Sequence, residues 1–269
     1  MNYFTARSKY LTINAILLFI ITAIIELILH EGGHFVAALS LGQQATLYHN
    51  YVSYDNETGL LNQRIFFAAA GPVVSLLTGL ICYFSQRIKS IGAYTRLFLW
   101  YLAAAGYAGF FGYLMIAPFF TYGDTGFVLT ALNVPMVIIF IIAIAGIAML
   151  YLVMNLLAKH LVALMPDAIA GDMNERQQWI RALIVFPLLF GTPVVTLLNL
   201  PVPTFLSLLA PICTPFALLY PYGYYIKGKP GFIHSNGDSL SARTPIILFV
   251  LLIAIVALNR LLVYGITLR

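Results

Sequence analysis

Charge is what this chain has least of: only 9% of its 269 residues are Asp, Glu, Lys or Arg. A water-soluble domain is about a quarter charged. So sparse a set cannot cover a globule in water, which excludes a soluble enzyme of this length. Cysteine is scarce as well. Cys82 and Cys213 are the only two, and both fall inside apolar stretches. That excludes a disulfide framework or a cysteine metal knot and leaves them as small packing residues. The excess of 14 Lys and Arg over nine acidic residues is not gathered on any face. The net charge of +5 therefore speaks for topology, and no nucleic-acid partner is expected.

What the chain has in quantity is apolar surface, with 61% hydrophobic residues and a mean hydropathy of +0.93. Several runs reach the roughly 20 residues that cross a bilayer. The expected fold is an all-α polytopic membrane protein forming a single membrane domain over 1–269. About seven transmembrane helices are expected, near 11–40, 65–85, 95–117, 127–157, 180–199, 203–226 and 245–264. Pro211, Pro215 and Pro221 interrupt the sixth, which predicts kinks or a broken helix. Arg7 and Lys9 before an apolar stretch resemble a signal peptide, but no small-residue cleavage site closes it, so a retained first helix is expected. Gly106, Gly109 and Gly112 predict a close helix-packing face in the third span. No repeat, low-complexity tail or appended soluble domain is expected.

Seven alternating spans separate the basic residues. Arg7, Lys9, Arg87, Lys89, Arg96, Lys159, Arg176, Arg181, Lys227, Lys229 and Arg243 fall on one side, and only Arg64, Arg260 and Arg269 on the other, 11 against 3 of the 14. The positive-inside rule then predicts an integral, multi-pass protein with a cytoplasmic N-terminus and an extracytoplasmic C-terminus. The lipid bilayer is the first expected partner.

The connection from Gln43 to Gln63 is the most polar. Its run Thr46–Tyr54 is rich in strand formers, and Asp55 to Gly59 supplies turn chemistry after it. A short β-hairpin-like segment after helix 1 is expected, at the membrane surface or dipping into the protein.

The chemistry is concentrated in His30-Glu31-Gly32-Gly33-His34. Histidines four apart project from one face of a helix and can grip one zinc ion. Glu31, beside the first ligand, can act as general base toward a water on the metal. Gly32 and Gly33 cost helix stability but let a neighbouring helix or a substrate backbone approach. Ionisable groups inside a membrane span are expensive and usually functional, and this helix carries Glu26, His30, Glu31 and His34 together. Zinc needs a third protein ligand. The best candidate is Asp124, the only acidic residue between Glu57 and Asp167, on the same side of the membrane as His34 by span counting. Glu26, one turn before His30, can serve its other ring nitrogen or pair with another helix, and both readings stay open. His49, His160 and His234 are expected in solvated loops. Asn56-Glu57-Thr58 matches a glycosylation acceptor, relevant only in a eukaryotic source.

Taken together, these residues resemble the site-two protease family of intramembrane zinc metalloproteases, over about residues 11–140. His30 to His34 matches the family's first motif. Ala70-Gly71-Pro72-Val73-Val74-Ser75 is similar to its Gly-Pro-containing second, and Pro118 through Gly126 to its third, with Asp124 in the ligand position. Two departures mark a divergent, minimal member. Ser75 stands where the family often has asparagine, and Thr125 separates Asp124 from Gly126 in a third motif that lacks its asparagine.

The resemblance implies a catalytic core over 1–140 with additional transmembrane helices over 141–269. It implies hydrolysis of a peptide bond in or near a membrane-spanning segment of a membrane-anchored protein substrate. His30, His34 and Asp124 would be the zinc ligands and Glu31 the catalytic base, with Ser75, Tyr48 and Tyr51 as substrate-positioning candidates. The 46–54 strand would pair with an unwound substrate or merely plug the site mouth. The alternative is a non-proteolytic zinc-binding scaffold or transporter. A different zinc-protease class would use Glu175, which the charge pattern places on the face opposite His34.

Overall fold

The structure is a computed structural model and describes residues 4–54, 59–88, 90–228 and 239–269. The expected turn at Asp55–Thr58, the acceptor at Asn56 and His234 lie outside them. The fold is mostly helical. It opens with α1 (Phe4–Ser40), α2 (Leu61–Ser85), α3 (Ala93–Ile116), the short α4 (Asp124–Ala131) and α5 (Met136–Val162). Five helices are long and apolar enough to cross a membrane: Lys9–Ser40, Leu61–Ser85, Ala93–Ile116, Met136–Val162 and Met173–Leu198. The apolar helix Ile246–Leu262 is shorter, at 17 residues.

Two of the seven expected spans take a different form. The fourth begins at Met136 rather than 127, because Pro135 starts a new helix and Asn133 turns the chain with a left-handed φ of 53°. The sixth is broken into Phe205–Cys213, a 3₁₀ stretch Thr214–Leu219 and Tyr222–Lys227. Proline has no N–H to close the helical bond four residues back, so each one frees a carbonyl that a bilayer cannot hydrate. A side chain takes up one of them: the Ser207 carbonyl, freed by Pro211, accepts from Asn199 Nδ2 at 2.7 Å. In the π-helical stretch Arg181–Val185 that precedes Pro187, the Leu183 carbonyl accepts from the Tyr101 hydroxyl at 2.5 Å.

The hairpin forms, but folds earlier than its composition implies. β1 (Ala45–Leu47) pairs antiparallel with β2 (Val52–Tyr54), Ala45 opposite Tyr54 and Leu47 opposite Val52. The turn is the tip His49-Asn50, flanked by stacked Tyr48 and Tyr51 rings 4.4 Å apart. A third strand, β3 (Ile266–Leu268) at the chain end, joins the other edge of β1, giving the order β2-β1-β3. That strand has no sequence signal strong enough to call.

α1 runs through the middle of the bundle. Leu11, Ala15, Leu18 and Ile24 are buried against Leu97, Trp100, Ala103 and Ala104 of α3 and against Ile180 and Leu183. Close packing rather than hydrophobic expulsion holds helices together in lipid, so small residues mark the contact. The expected glycine face is real at two of its three positions. A Cβ on Gly106 would lie 2.5 Å from the Ser75 carbonyl, and one on Gly109 would lie 2.7 Å from Glu26 Oε1, whereas Gly112 has room. α5, by contrast, turns Val137, Ile141, Ile144 and Leu152 outward.

Three long-range contacts position the remaining chain. His49 Nε2 and Asn50 Nδ2 both reach the Asn199 carbonyl, at 3.0 and 2.7 Å. Arg176 donates to the carbonyls of Tyr225 and Gly228. Asn14 donates to Leu240 and Arg243.

Candidate metal centre

α1 is long enough to carry His30, Glu31 and His34 deep in the bundle, and all three are buried. The i, i+4 spacing places both imidazoles on one face, with their Nε2 atoms 3.3 Å apart. Asp124 begins α4, where the chain turns back after α3. Its Oδ2 stands 3.1 Å from His30 Nε2 and 3.3 Å from His34 Nε2. Among the described residues this is the one group of three or more His, Cys, Asp or Glu side chains arranged to hold a metal ion. Glu175 is not in it and sits in the first turn of its own helix, where Asp172 caps its N–H.

The second nitrogen of each ring decides what the first can do. His34 Nδ1 lies 2.7 Å from the Phe67 carbonyl, which only accepts, so Nδ1 carries the proton. His30 Nδ1 lies 2.9 Å from Ser75 Oγ, and that hydroxyl gives its own proton to Glu26 Oε1 at 2.6 Å. Ser75 therefore accepts from His30, and His30 Nδ1 is also protonated. Both Nε2 lone pairs then converge with a carboxylate oxygen, an arrangement that repels itself unless a cation sits among them. The three separations suit zinc: metal–ligand bonds of about 2.0–2.1 Å in a tetrahedron put ligand atoms about 3.3 Å apart.

Other expected residues fall in definite places. Glu26 serves His30 through Ser75 rather than directly. Ser75 is fully buried behind His30, committed to that pair of bonds. Glu31 lines the cavity beside the cluster, and no hydrogen bond from the described residues engages its carboxylate. Tyr51 also lines the cavity, whereas Tyr48 packs over Gly265 at the start of β3. Gly33 meets α2, since a Cβ there would sit 2.8 Å from the Ala70 carbonyl, and Gly32 has open space. Gly71 is the tighter requirement: a Cβ on it would fall on the His34 ring, 2.7 Å from Cδ2 and closer to Nε2.

Two histidines correct the expectation of solvated loops. His49 is buried at the hairpin tip, because the chain 199–201 covers it. His160 lies in the last turn of α5, edge-on to Tyr83 at 5.2 Å. One residue of the site escaped sequence reading. Tyr113 stacks on His30, with centroids 5.3 Å apart and planes 13° apart. It stands one position past Gly112 in a helix with eight aromatic residues, so nothing local singles it out.

The cavity measures about 390 Å³. α1 and α3 form one side, and the broken segment from Pro203 to Pro215 forms the other. No family model, curated protein or solved structure matches the chain.

Proposed function

We propose that this protein is a zinc-dependent intramembrane endopeptidase hydrolysing a peptide bond in or near a membrane-spanning segment of its substrate, as its resemblance to site-two proteases implies. The observation that carries the reading is the convergence of His30 Nε2, His34 Nε2 and Asp124 Oδ2, all within 4.8 Å of one another, beside an unengaged Glu31 in a buried cavity. Bound zinc would supply Lewis acidity, lowering the pKa of water and polarising the scissile carbonyl. His30, His34 and Asp124 hold it. Glu31 takes the proton of the attacking water and returns it to the leaving amine nitrogen. The Ser75 and Phe67 oxygens keep the histidine protons on Nδ1. The walls of the bundle limit bulk water.

The membrane topology we propose has seven crossings, with the N-terminus cytoplasmic and the C-terminus outside. Pairing of β3 with β1 supports an odd number, since it puts the chain end beside the end of α1. Contacts of Asn199 with the hairpin tip and of Gly228 with Arg176 support alternation of the fifth and sixth passes, the sixth being the broken one.

The test is a pair of variants. Glu31→Gln is expected to keep zinc and to lose turnover by about 10²–10⁴-fold, while Asp124→Ala loses the metal. Full activity of Glu31→Gln in a reconstituted cleavage assay would sink the proteolytic reading and leave a zinc-binding scaffold.

A further inference from the structure

Two segments far apart in the chain meet at one wall of the cavity. Asn50, Tyr51 and Val52 line it from the hairpin, and Asn199, Pro203 and Thr204 line it from the chain that follows the Met173–Leu198 helix. A run of four backbone carbonyls, 198 to 201, joins the two. Those of Leu198 and Leu200 accept from Arg260, that of Asn199 from His49 and Asn50, and that of Pro201 from Asn50. A helix leaves its last carbonyls without partners. Here the hairpin tip and the Ile246–Leu262 helix supply the donors.

His49 is the member of this junction that can change charge near neutral pH, and it is only 2% exposed. Its Nε2 lies 3.0 Å from the Asn199 carbonyl, which only accepts, so Nε2 carries the proton of the neutral ring. Its Nδ1 is buried and has no hydrogen-bond partner among the described residues. A second proton has to go to Nδ1, where it becomes a buried charge that faces no acceptor, a costly state. Among the described residues Arg260, in the last turn of its helix, is the one charged or titratable group that acts on His49. It already supplies the positive charge that a helix C-terminus favours, and it repels another. Burial and Arg260 hold the imidazole below its ordinary value, against the hydrogen bond to Asn199.

We infer that the hairpin tip is an acid-released latch: a proton on His49 Nδ1 detaches the tip from the 198–201 carbonyls and opens that wall of the metal cavity. In the proposed topology the hairpin lies on the extracytoplasmic side, so acid on that side opens the cavity. The consequence for peptide hydrolysis rests on the proteolytic reading, whereas release of the tip does not. Proton linkage sets the size of the effect. If only the released tip takes the proton, at the ordinary imidazole value of about 6.5, the released population grows about tenfold between pH 7.5 and 5.5. A short hairpin without its support is marginal in water, so the released tip exchanges its amide hydrogens quickly.

The experiment is hydrogen exchange on the full-length protein in detergent at the two pH values, corrected for the intrinsic rate, in wild type and in His49→Gln. The glutamine amide can keep a donor toward Asn199 and has no proton to gain. Exchange over residues 45–54 is expected to rise about tenfold in wild type at the lower pH, and to stay level in His49→Gln. Because each protein is compared with itself, the reading holds even if the substitution loosens the tip at both pH values. Exchange in α1 and α3 is expected not to change. An equal rise in both proteins overturns the latch, and so does a rise throughout α1 and α3, which would make the effect general loosening. The rate at which EDTA strips zinc is the second readout. Protons act on the metal ligands and on EDTA alike in both proteins, so the acid-to-neutral ratio of wild type is divided by that of His49→Gln. A quotient of about ten is expected from the same linkage, and a quotient of one overturns the opening of the cavity. Failure of the proteolytic reading is distinct: a protein that binds no zinc, or binds it and cleaves nothing, leaves the exchange result standing.

Discussion

The first 140 residues and the remainder meet in one cavity and bring different things to it. The first part supplies every metal-ligating and acidic side chain at the metal centre, His30, Glu31 and His34 on α1 and Asp124 on α4. The second part supplies no ligand. It contributes the wall from Pro203 to Pro215, the Asn199 contact that seats the hairpin tip, and the strand that completes the sheet. The ligands stand on unbroken helices, whose backbone bonds are satisfied internally and whose side-chain directions are therefore set. The wall is broken backbone, tolerable in a membrane only where it faces protein or a cavity. Rigidity is placed where distances of a few tenths of an ångström decide metal binding, and irregular chain is placed where the cavity needs shape.

If that division holds, changes in the first part strike the metal and changes in the second strike stability. The largest effect is expected from Gly71→Ala. Its methyl would overlap the His34 ring, so metal content should fall to a small fraction of wild type by elemental analysis. Gly32→Ala, in the motif itself but with nothing within 4 Å of its Cβ, should retain zinc in the same measurement. Retention of zinc by Gly71→Ala would show that His34 is not held where the ligand geometry requires.

Next comes Ser75→Ala, which leaves His30 Nδ1 without its acceptor and cuts the link to Glu26. Losing such a partner typically costs 10–100-fold in metal affinity, readable by competition with a chelator. An unchanged affinity would mean that the Glu26 relay has no bearing on the metal.

In the second part, Asn199→Ala removes the donor that satisfies the Ser207 carbonyl. A buried acceptor left unmade costs about 1–3 kcal/mol, expected as a lower unfolding midpoint in detergent with zinc content intact. Loss of zinc in this variant would break the comparison, because it would make the wall part of the ligand scaffold.

The smallest effect is one of pH. Burial pushes the His49 imidazole below its ordinary value of 6.5, and Arg260 acts in the same direction against the hydrogen bond to Asn199. The folded protein thus resists a proton that the unfolded chain accepts. The stabilisation from neutral His49 is complete above about pH 6.5 and is lost as the pH falls below it. His49→Gln should therefore flatten the acid limb of the midpoint-against-pH curve relative to wild type. An identical slope would exclude His49 as its source.

How far each region was legible follows from the range of the interactions that define it. Helix α1 and its His-Glu-Gly-Gly-His face needed only i, i+4 periodicity, which a chain expresses within one turn. Asp124 was findable because acidic residues are so rare in its neighbourhood. The hairpin was legible as strand-forming composition, but not its turn at His49-Asn50, since Asp55 to Gly59 has the stronger turn chemistry. The start of the fourth helix was misplaced because the apolar run continues through Asn133 and Pro135, and hydropathy does not register a left-handed turn.

The sequence by itself determined the membrane setting and the metal-ligating face of α1, through hydropathy and helical spacing, both local properties. Only the tertiary structure decided that Ser75 joins Glu26 to His30, that Tyr113 stacks on the site, that residues 203–215 wall the cavity and that the chain end pairs with β1. Each of those contacts joins residues dozens to more than two hundred positions apart. They arise from how helices pack, and no neighbouring residue in the chain records that.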